Sequence, residues 1–391
     1  MFAEDQGQPL TNEEIGSRIR EARKSAGLSE EAFAELLGLT QPTVSRIEAG
    51  KRSVGAAELV RIAEAVGRPA QAFLEATPQA RYWFRLAEYV RPGPMKEAVD
   101  WAERFMHQVR VLREFTQQLE LPANDRLDFE PPASVSAAQL AADNVRRQLG
   151  LGDGPAPDLY ELIERTGCLV KVRQFDEWGP DAVYVPGPVS IIVLNGAKPG
   201  PRQRFTLAHE FAHFLFDRAT VVLDEDVYQE PSDGDRQIAK RERIANAFAA
   251  HFLMPKSGIE AELVRRFDKR IPTEVTHAFW LAYHFGVSLQ AICYQLESVG
   301  LAPAPKTRRW MHTDQHTLAG ALGLLTDQQH QAVRERWPRE FLVRLAVALE
   351  RELITPTDAA RHLQGDQDAL NALLAHTHLP ASEAINFASP A

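Results

Sequence analysis

Two histidines in the middle of an apolar stretch constrain the fold of this chain more than any other feature. The stretch FTLAHEFAHFLF runs from Phe205 to Phe216 and contains His209 and His213. Their separation is about one turn of an α-helix, so a helix would project both imidazoles from one face, at a spacing that can chelate one zinc ion. Glu210 follows the first histidine, where its carboxylate can accept a proton from water that a metal has made more acidic. The simpler alternative is a helix with two ordinary histidines.

A catalytic zinc site needs a third protein ligand and an open position for water. Glu242 is the candidate, in the helical stretch RERIANAFAAHFLMP from Arg241 to Pro255. Asn246 follows one turn later, where its amide can orient a ligand histidine from outside the coordination shell. Alone, Glu242 would be interpreted as a solvated charge, but the histidine pair favours a ligand. The predicted cofactor is Zn²⁺, although such ligands can also hold Mn²⁺ or another first-row divalent ion.

A second motif lies near the amino terminus. In LSEEAFAELLGLTQPTVSRIEAGKR, which runs from Leu28 to Arg52, a helix beginning near Ser29 is followed by a turn at Gly38 and a second helix from Gln41. Ser29 and Thr40 are good N-caps, and Gly38 permits the turn. This is the spacing of a helix-turn-helix. The predicted shared core consists of Ala34, Leu36, Leu37, Val44 and Ile47.

Polar residues on the second helix of this motif suit contact with DNA. Glutamine can form a bidentate pair with adenine, arginine can do so with guanine, and hydroxyl groups reach phosphate oxygens. The predicted DNA-contacting residues are Gln41, Thr43, Ser45, Arg46, Lys51 and Arg52. An alternative for the same helices is protein interaction without DNA, because a fold alone does not establish a function.

Charge and cysteine content exclude several other classes of protein. The 391 residues carry a net charge of −9, which argues against non-specific coating of nucleic acid but allows a local DNA-binding face. The two cysteines, Cys168 and Cys293, form neither a disulfide framework nor a cysteine-rich metal site. The sequence has neither a signal-peptide pattern nor an apolar run of about 18 residues, so we expect a cytoplasmic protein that does not bind membranes.

The amino-terminal motif resembles the XRE, or lambda-repressor-like, family of DNA-binding domains. The resemblance rests on GSRIREARKSAGLS followed by GLTQPTVSRIEAGKR. It implies a five-helix domain, usually dimeric on a palindromic operator, with base-reading side chains at Gln41, Thr43 and Arg46. One position departs from the family pattern: Glu30, followed by Glu31, stands where glutamine is common after the N-cap serine, and a phosphate would repel these carboxylates.

The sequence around the histidine pair resembles the ImmA/IrrE family of metallopeptidases. The similarity runs from about Ala137 to about Leu301 and includes IIVLNGAKPGPRQRFTLAHEFAHFLF and ERIANAFAAHFLMP. It implies a minimal gluzincin-like fold with Glu210 as general base and three zinc ligands: His209, His213 and Glu242. Members of this family cut specific repressor or regulator proteins under stress or mobile-element control.

Two positions depart from the metallopeptidase pattern without removing a ligand. Ala212 stands where glycine is common, and His251 stands where an acidic residue is usual. His251 could be an extra group for the metal or the transition state, but a half-exposed helix histidine is the simpler interpretation. The donor that peptide hydrolysis requires for its oxyanion is left open among Tyr184, His277, Tyr283 and His284.

The predicted fold class is mainly α-helical with a small α+β part. Three β-branched stretches at 168–172, 182–185 and 189–194 are separated by glycine and proline turns, which favours a short antiparallel sheet in a zincin-like domain. The predicted segments are an all-helical helix-turn-helix domain at 11–75, connecting helices and a proline-rich linker at 76–134, the metallopeptidase-like domain at 135–302 and a helical region of unknown role at 303–391. In the last, an apolar stripe with Phe341, Leu345 and Leu349 is interpreted as core, dimer interface or effector pocket, in that order.

Two classes of function remain. The first is a homodimeric regulator that binds operator DNA and carries a zinc-dependent endopeptidase, which cleaves a repressor or antitoxin-like protein in a stress response or in control of a mobile element. The second is a transcription factor whose peptidase-like domain senses a metal or ligand without turnover. Glu210 favours the enzyme, because it has no evident role in a purely structural zinc site. Such a site is normally closed by four protein ligands and leaves no position for water.

Overall fold

The computed structural model describes residues 11–25, 28–66, 70–73, 83–84, 92–119, 121, 124–187, 189–216, 234–324 and 331–375. The chain divides into two compact units, within residues 1–80 and 81–391, and each is described by itself. Both are mainly helical, as predicted. In the described part of the chain, no helix combines the length and the apolar character needed to cross a membrane.

The described residues of the first unit form only helices and the turns between them. Its elements are α1 (Asn12–Ser25), α2 (Glu30–Leu37), α3 (Gln41–Glu48) and α4 (Ala56–Ala65), followed by a 3₁₀ helix at Ala70–Phe73. The Ser29 hydroxyl caps α2 by accepting a hydrogen bond from the Ala32 amide, and Gly38 ends that helix at φ +66°. The buried core includes Ile19, Phe33, Leu37, Val44, Ile47, Ile62 and Phe73. Helices α2 and α3 pack on this core and form the helix-turn-helix.

Two details of the predicted helix-turn-helix are wrong. Leu36 is 61% exposed, because the buried face of α2 follows Phe33, Ala34 and Leu37 and leaves Leu36 outside this stripe. Thr40 occupies the position before α3 in an extended conformation, but its side chain caps no backbone amide. Its hydroxyl lies 2.8 Å from the Thr43 hydroxyl instead.

The second unit contains helices on both sides of a small sheet. Its helices are α5 (Pro92–Phe115), α6 (Val135–Gln148), α7 (Leu159–Arg165), α8 (Gly200–Phe216), α9 (Gly234–Leu253), α10 (Lys256–Phe267), α11 (Val275–Phe285), α12 (Leu289–Ser298), α13 (Ala304–Met311), α14 (Gln315–Leu322), α15 (Arg339–Glu350), α16 (Pro356–His362) and α17 (Gln367–Ala375). The strands are β1 (Trp83–Phe84), β2 (Cys168–Arg173), β3 (Ala182–Val185) and β4 (Ser190–Asn195), in the order β1-β3-β4-β2.

The sheet is mixed, whereas the sequence predicted an antiparallel one. Strand β3 is antiparallel to both β1 and β4, but β2 and β4 are parallel. The reason is the connection at 174–181 between β2 and β3, which crosses the end of β4. Strand β4 therefore lies between β2 and β3 in the sheet. Asn195 holds this connection, since its Oδ1 accepts from the Phe175 amide at 3.1 Å and its Nδ2 donates to the Asp176 carbonyl at 2.9 Å.

Both faces of the sheet are buried, which explains why the residues of β4 from Ile191 to Leu194 are all apolar. Val170, Tyr184 and Ile192 belong to the core that includes α6, α7, α8 and α9. Leu169, Val183 and Ile191 belong to the opposite core, with residues of α5, α15, α16 and α17.

The region after residue 303 contributes directly to this second core. Phe341 and Leu345 are completely buried, so the core interpretation of this apolar stripe is correct. Arg113 of α5 forms two hydrogen bonds of 2.7 Å with the Glu340 carboxylate of α15. The predicted connecting helix and the predicted carboxy-terminal region therefore pack together; the proposed segment boundaries stay a prediction.

The residues before α15 cover the outer edge of β2. Val172 and Arg336 exchange two backbone hydrogen bonds of 3.0 Å in an antiparallel bridge. The Arg336 guanidinium also contacts Glu164 of α7 at 2.6 Å, and both side chains are largely buried. This contact fixes the carboxy-terminal helices to the sheet.

Candidate metal centre and DNA-binding face

Helices α8 and α9 are held together by aromatic packing. The Phe211 ring of α8 lies 6.3 Å from the Phe248 ring and 5.8 Å from the Phe252 ring of α9, measured between centroids. All three side chains are completely buried. Because these rings fix the relative position of the two helices, the polar side chains of α8 and α9 meet in a defined arrangement.

Those polar side chains form a compact group of metal-binding atoms. The Nε2 atoms of His209 and His213 are 3.1 Å apart. The Glu242 carboxylate places Oε2 at 3.1 Å from His209 Nε2 and Oε1 at 3.2 Å from His213 Nε2. Within the described residues this is the one group of three or more histidine, cysteine or acidic side chains with such spacing. The structure thus brings together all three predicted ligands.

The separations between these atoms fit a tetrahedral ion. Zinc bound at about 2.0–2.1 Å from nitrogen and oxygen ligands in tetrahedral geometry separates them by about 3.3–3.4 Å, close to the observed values. The histidines are buried, but the Glu242 side chain is 31% exposed. The centre is therefore accessible from its carboxylate side, as a site that admits water and substrate requires.

Asn246 contacts the first histidine in the way predicted. Its Oδ1 lies 3.1 Å from His209 Nδ1. An amide oxygen only accepts, so the proton of the neutral imidazole is on Nδ1 and the Nε2 lone pair is available for coordination. The Asn246 contact therefore selects the tautomer that a metal site needs.

Glu242 is negatively charged at neutral pH. Burial raises the pKa of its carboxyl group, but the neighbouring imidazoles of His209 and His213 outweigh burial and hold the pKa far below its usual range. Glu210, directly after His209, is completely buried. Its carboxylate is shielded from bulk solvent, and its role as general base stays a prediction.

His251 is not half-exposed, as the sequence suggested, but buried. Its Nε2 lies 3.1 Å from the Asp143 carboxylate, and its Nδ1 lies 3.4 Å from Gln295 Nε2. It follows Glu242 by two and a half turns, on the opposite side of α9. The residue therefore belongs to the packing of α9 against α6 and α12, outside the metal-binding group.

The four candidates for an oxyanion donor lie on two elements. Tyr184 is completely buried in β3, in the core that also contains residues of α8. The others are on α11, where the His277 ring stacks on Phe267 at 4.2 Å and the Tyr283 ring lies 5.9 Å from Trp280. No residue is assigned to that role.

The predicted DNA-contacting residues lie on or directly after α3. Ser45, Arg46 and Lys51 are exposed, whereas Gln41, Thr43 and Arg52 are half-buried. Arg52 Nη1 donates to the Glu58 carboxylate at 2.9 Å. Gln41 Nε2 donates to Glu30 Oε2 at 2.6 Å. Sequence reasoning treated Glu30 only as a charge that repels phosphate; its contact with Gln41 connects two helices and has no local sequence signal.

Comparison with known families supports both predicted domains. A family description named helix-turn-helix matches residues 19–73, and one named IrrE N-terminal-like domain, of the M78 peptidases, matches residues 163–297. The resemblances found in the sequence are therefore confirmed: the chain contains a helix-turn-helix domain and a metallopeptidase-family domain.

Individual relatives match one domain each. The radiation response metalloprotease IrrE of Deinococcus deserti is 31% identical over 141 residues, which are 35% of this chain and 47% of that protein. An uncharacterized HTH-type transcriptional regulator of Sinorhizobium medicae is 38% identical over 64 residues, 16% of this chain and 46% of that protein. The chain thus spans less than half of either relative. In the solved structure of the restriction-modification controller protein C.AhdI from Aeromonas hydrophila, the match is 32% identical and covers 16% of this chain and 96% of that one, with a TM-score of 0.16.

Proposed function

We propose that this protein is a DNA-binding regulator whose second unit is a zinc-dependent endopeptidase for a specific repressor or antitoxin-like protein. The observation that carries this proposal is the group of His209, His213 and Glu242, with donor atoms 3.1–3.2 Å apart and Glu210 beside them in α8. The similarity to a protein named radiation response metalloprotease supports the peptidase class and a role in stress.

The chemistry divides among five side chains. His209, His213 and Glu242 would hold a zinc ion, which would supply the Lewis acidity that makes a bound water more acidic and polarises the carbonyl of the scissile peptide bond. The Asn246 contact keeps the proton of His209 on Nδ1. The Glu210 carboxylate accepts the proton of the attacking water and passes it to the nitrogen of the leaving amine.

The metal site has a direct test. Purified protein should contain one divalent ion per chain, and His209→Ala/His213→Ala should lose it, because two of three ligands are removed. Elemental analysis measures the stoichiometry, with His312→Ala as control since this histidine is exposed and outside the group. Full zinc content in the double variant would refute the assigned ligands. Peptidase activity is then tested by mass spectrometry of regulator proteins encoded nearby, incubated with zinc-loaded wild type or with the double variant.

The first unit is proposed to bind operator DNA as a dimer through α3. Arg46→Ala should lower the binding free energy gained from the preferred base pair at one operator position by about 1–3 kcal/mol, because an exposed guanidinium can bind a guanine edge. Lys51→Ala should instead weaken binding to all DNA sequences alike. It should also reduce the dependence of the affinity on salt concentration by the amount expected for about one phosphate contact. Binding titrations on single-base operator variants at several salt concentrations distinguish the two. An equal loss on all sequences with Arg46→Ala would contradict base reading by this residue.

A further inference from the structure

Positive charge is concentrated where the end of α10 meets α13, on a surface that we call the α10–α13 face. Five basic side chains form it, of which Lys306 is half-buried and the others are exposed: Arg266, Lys269, Arg270, Lys306 and Arg309. Arg309 follows Lys306 by about one turn of α13, so both lie on the same side of that helix. The neighbouring Arg265 pairs with Glu262 at 2.6 Å, but none of the five forms an ion pair with any carboxylate that the structure describes.

The turn after α10 contacts α13 directly. Lys306 Nζ donates to the Pro272 carbonyl at 3.2 Å. Burial lowers the pKa of His277, against the opposing charge of Glu274. The charges of Lys269 and Lys306 lower this pKa further, so both lysines lie near the same imidazole. The basic residues of the two elements therefore lie side by side on one surface.

Two tryptophans hold basic side chains of this face in place. The Arg266 guanidinium carbon lies 4.7 Å from the centroid of the Trp280 ring, and Lys306 Nζ lies 5.1 Å from the centroid of the Trp310 ring. Cation–π contacts restrict the positions of charged groups without neutralising them. A partner anion thus meets cations that have already lost part of their rotamer freedom, which lowers the entropic cost of binding.

Two apolar side chains interrupt this positive surface. Val264 of α10 is 49% exposed, and Ile271, directly after Arg270, is 52% exposed. A DNA backbone offers phosphates to cations but little apolar surface to such aliphatic side chains. An acidic protein segment offers both carboxylates and apolar side chains. The mixture of cations and aliphatic groups therefore favours a protein partner over nucleic acid.

We propose that the α10–α13 face docks an acidic segment of a partner protein, with apolar side chains placed among its carboxylates. The partner assigned here is the protein target of the second unit, a part of the inference that rests on the proposed function. The chain has a net charge of −9, so an acidic segment is repelled by the molecule as a whole and directed to this basic face. Docking through a segment other than the scissile one raises the local concentration of the scissile bond and adds specificity.

The direct test is the binding of a fluorescent peptide of glutamates, with leucines spaced one helical turn apart, to the full-length protein. Wild type should bind it, and the affinity should fall as salt is added, because exposed charges are screened. Lys269→Glu/Arg270→Glu should weaken binding about tenfold or more, since two attractive charges become repulsive. Arg147→Glu/Arg351→Glu is the matched control: it changes the net charge equally at two exposed positions near helix ends and should bind like wild type. Thermal unfolding checks that both double variants are folded.

A second pair of measurements separates a protein segment from a general polyanion. Ile271→Ser should weaken binding of the leucine-containing peptide but not of a peptide of glutamates alone, because it removes only an apolar contact. Duplex DNA without an operator should lose little affinity in Lys269→Glu/Arg270→Glu. A loss of DNA affinity as large as the loss of peptide affinity would assign the face to nucleic acid and overturn the inference. The same holds if wild type fails to bind the peptide or if the double variant binds it unchanged.

The role in cleavage has its own measurement. With an identified target, Lys269→Glu/Arg270→Glu should raise KM and leave kcat unchanged, because the variant affects docking and not the groups at the metal. Since peptide binding is measured without cleavage, a protein that binds the peptide but cleaves no target contradicts the proposed function and keeps the docking surface. An unchanged KM in a variant that has lost peptide binding would overturn the assignment of this face to the target.

Discussion

Glu210→Gln should abolish peptide cleavage while the protein keeps its fold and its metal. The amide has nearly the same shape as the carboxylate but cannot take a proton from water, and the loss of a positioned general base typically costs 10²–10⁴-fold in rate. Mass spectrometry of the target over time measures the rate, and elemental analysis of the same samples measures the metal. Glu260→Gln on α10, where the side chain is 46% exposed, is the matched control.

Glu242→Ala should also abolish cleavage, but for a different reason: it removes a proposed ligand, so the metal is lost as well. The two variants also separate an enzyme from a sensor. A sensor needs the bound metal but no proton transfer, so in cells Glu210→Gln would then respond to the inducing stress like wild type. If Glu210→Gln cleaved the target in vitro at the same rate as wild type, Glu210 would not be the general base.

Arg336→Met should destabilise the second unit by about 3–5 kcal/mol, the usual result when one partner of a buried ion pair is removed. Arg336 contacts the Glu164 carboxylate at 2.6 Å and also donates to the Val170 carbonyl at 2.9 Å. Without it, Glu164 remains buried with its charge uncompensated. Urea unfolding of the full-length protein measures the change in unfolding free energy. Arg361→Met, which breaks an exposed ion pair with Asp358, is the control and should leave that free energy nearly unchanged.

The pH dependence of this variant provides an internal check. Burial raises the pKa of Glu164 above its usual value, even though Arg336 opposes this effect. Removing Arg336 raises the pKa further. A raised pKa means that the folded state binds the proton more readily than the unfolded state, so folding becomes more favourable as pH falls through the folded-state pKa. The difference in unfolding free energy between wild type and Arg336→Met should therefore become smaller as the pH is lowered from 7 to 5. A difference that stays constant would exclude Glu164 as its cause.

The helices of both units could be predicted because their causes are local. Helix α7, for example, begins after Asp158, whose carboxylate accepts from the amides of Tyr160 and Glu161, and it ends before Gly167 at φ +94°. The pair of candidate metal ligands, His209 and His213, was equally evident, because both residues lie on one helix. Glu242 required a distant helix and was inferred from its stretch of sequence and from the presence of the pair.

The features that sequence reasoning missed depend on contacts between distant parts of the chain. The parallel pairing of β2 with β4 follows from the connection held by Asn195, and residue patterns alone do not reveal strand order. His251 was expected to be half-exposed, but α6 and α12 cover it through Asp143 and Gln295. The pair of Glu30 and Gln41 likewise forms only when α2 and α3 are packed.

The two borders of the sheet are closed by residues that lie outside the stretch matched to the IrrE N-terminal-like domain. Strand β1, at Trp83–Phe84, pairs with β3 at one border, and Arg336 pairs with Val172 of β2 at the other. A fragment limited to residues 163–297 would leave both borders with unsatisfied backbone groups, which are templates for self-association. The metallopeptidase-family domain of this chain is thus not a self-contained unit at 163–297: residues on both sides of that stretch complete its sheet, and a shortened protein has to retain them.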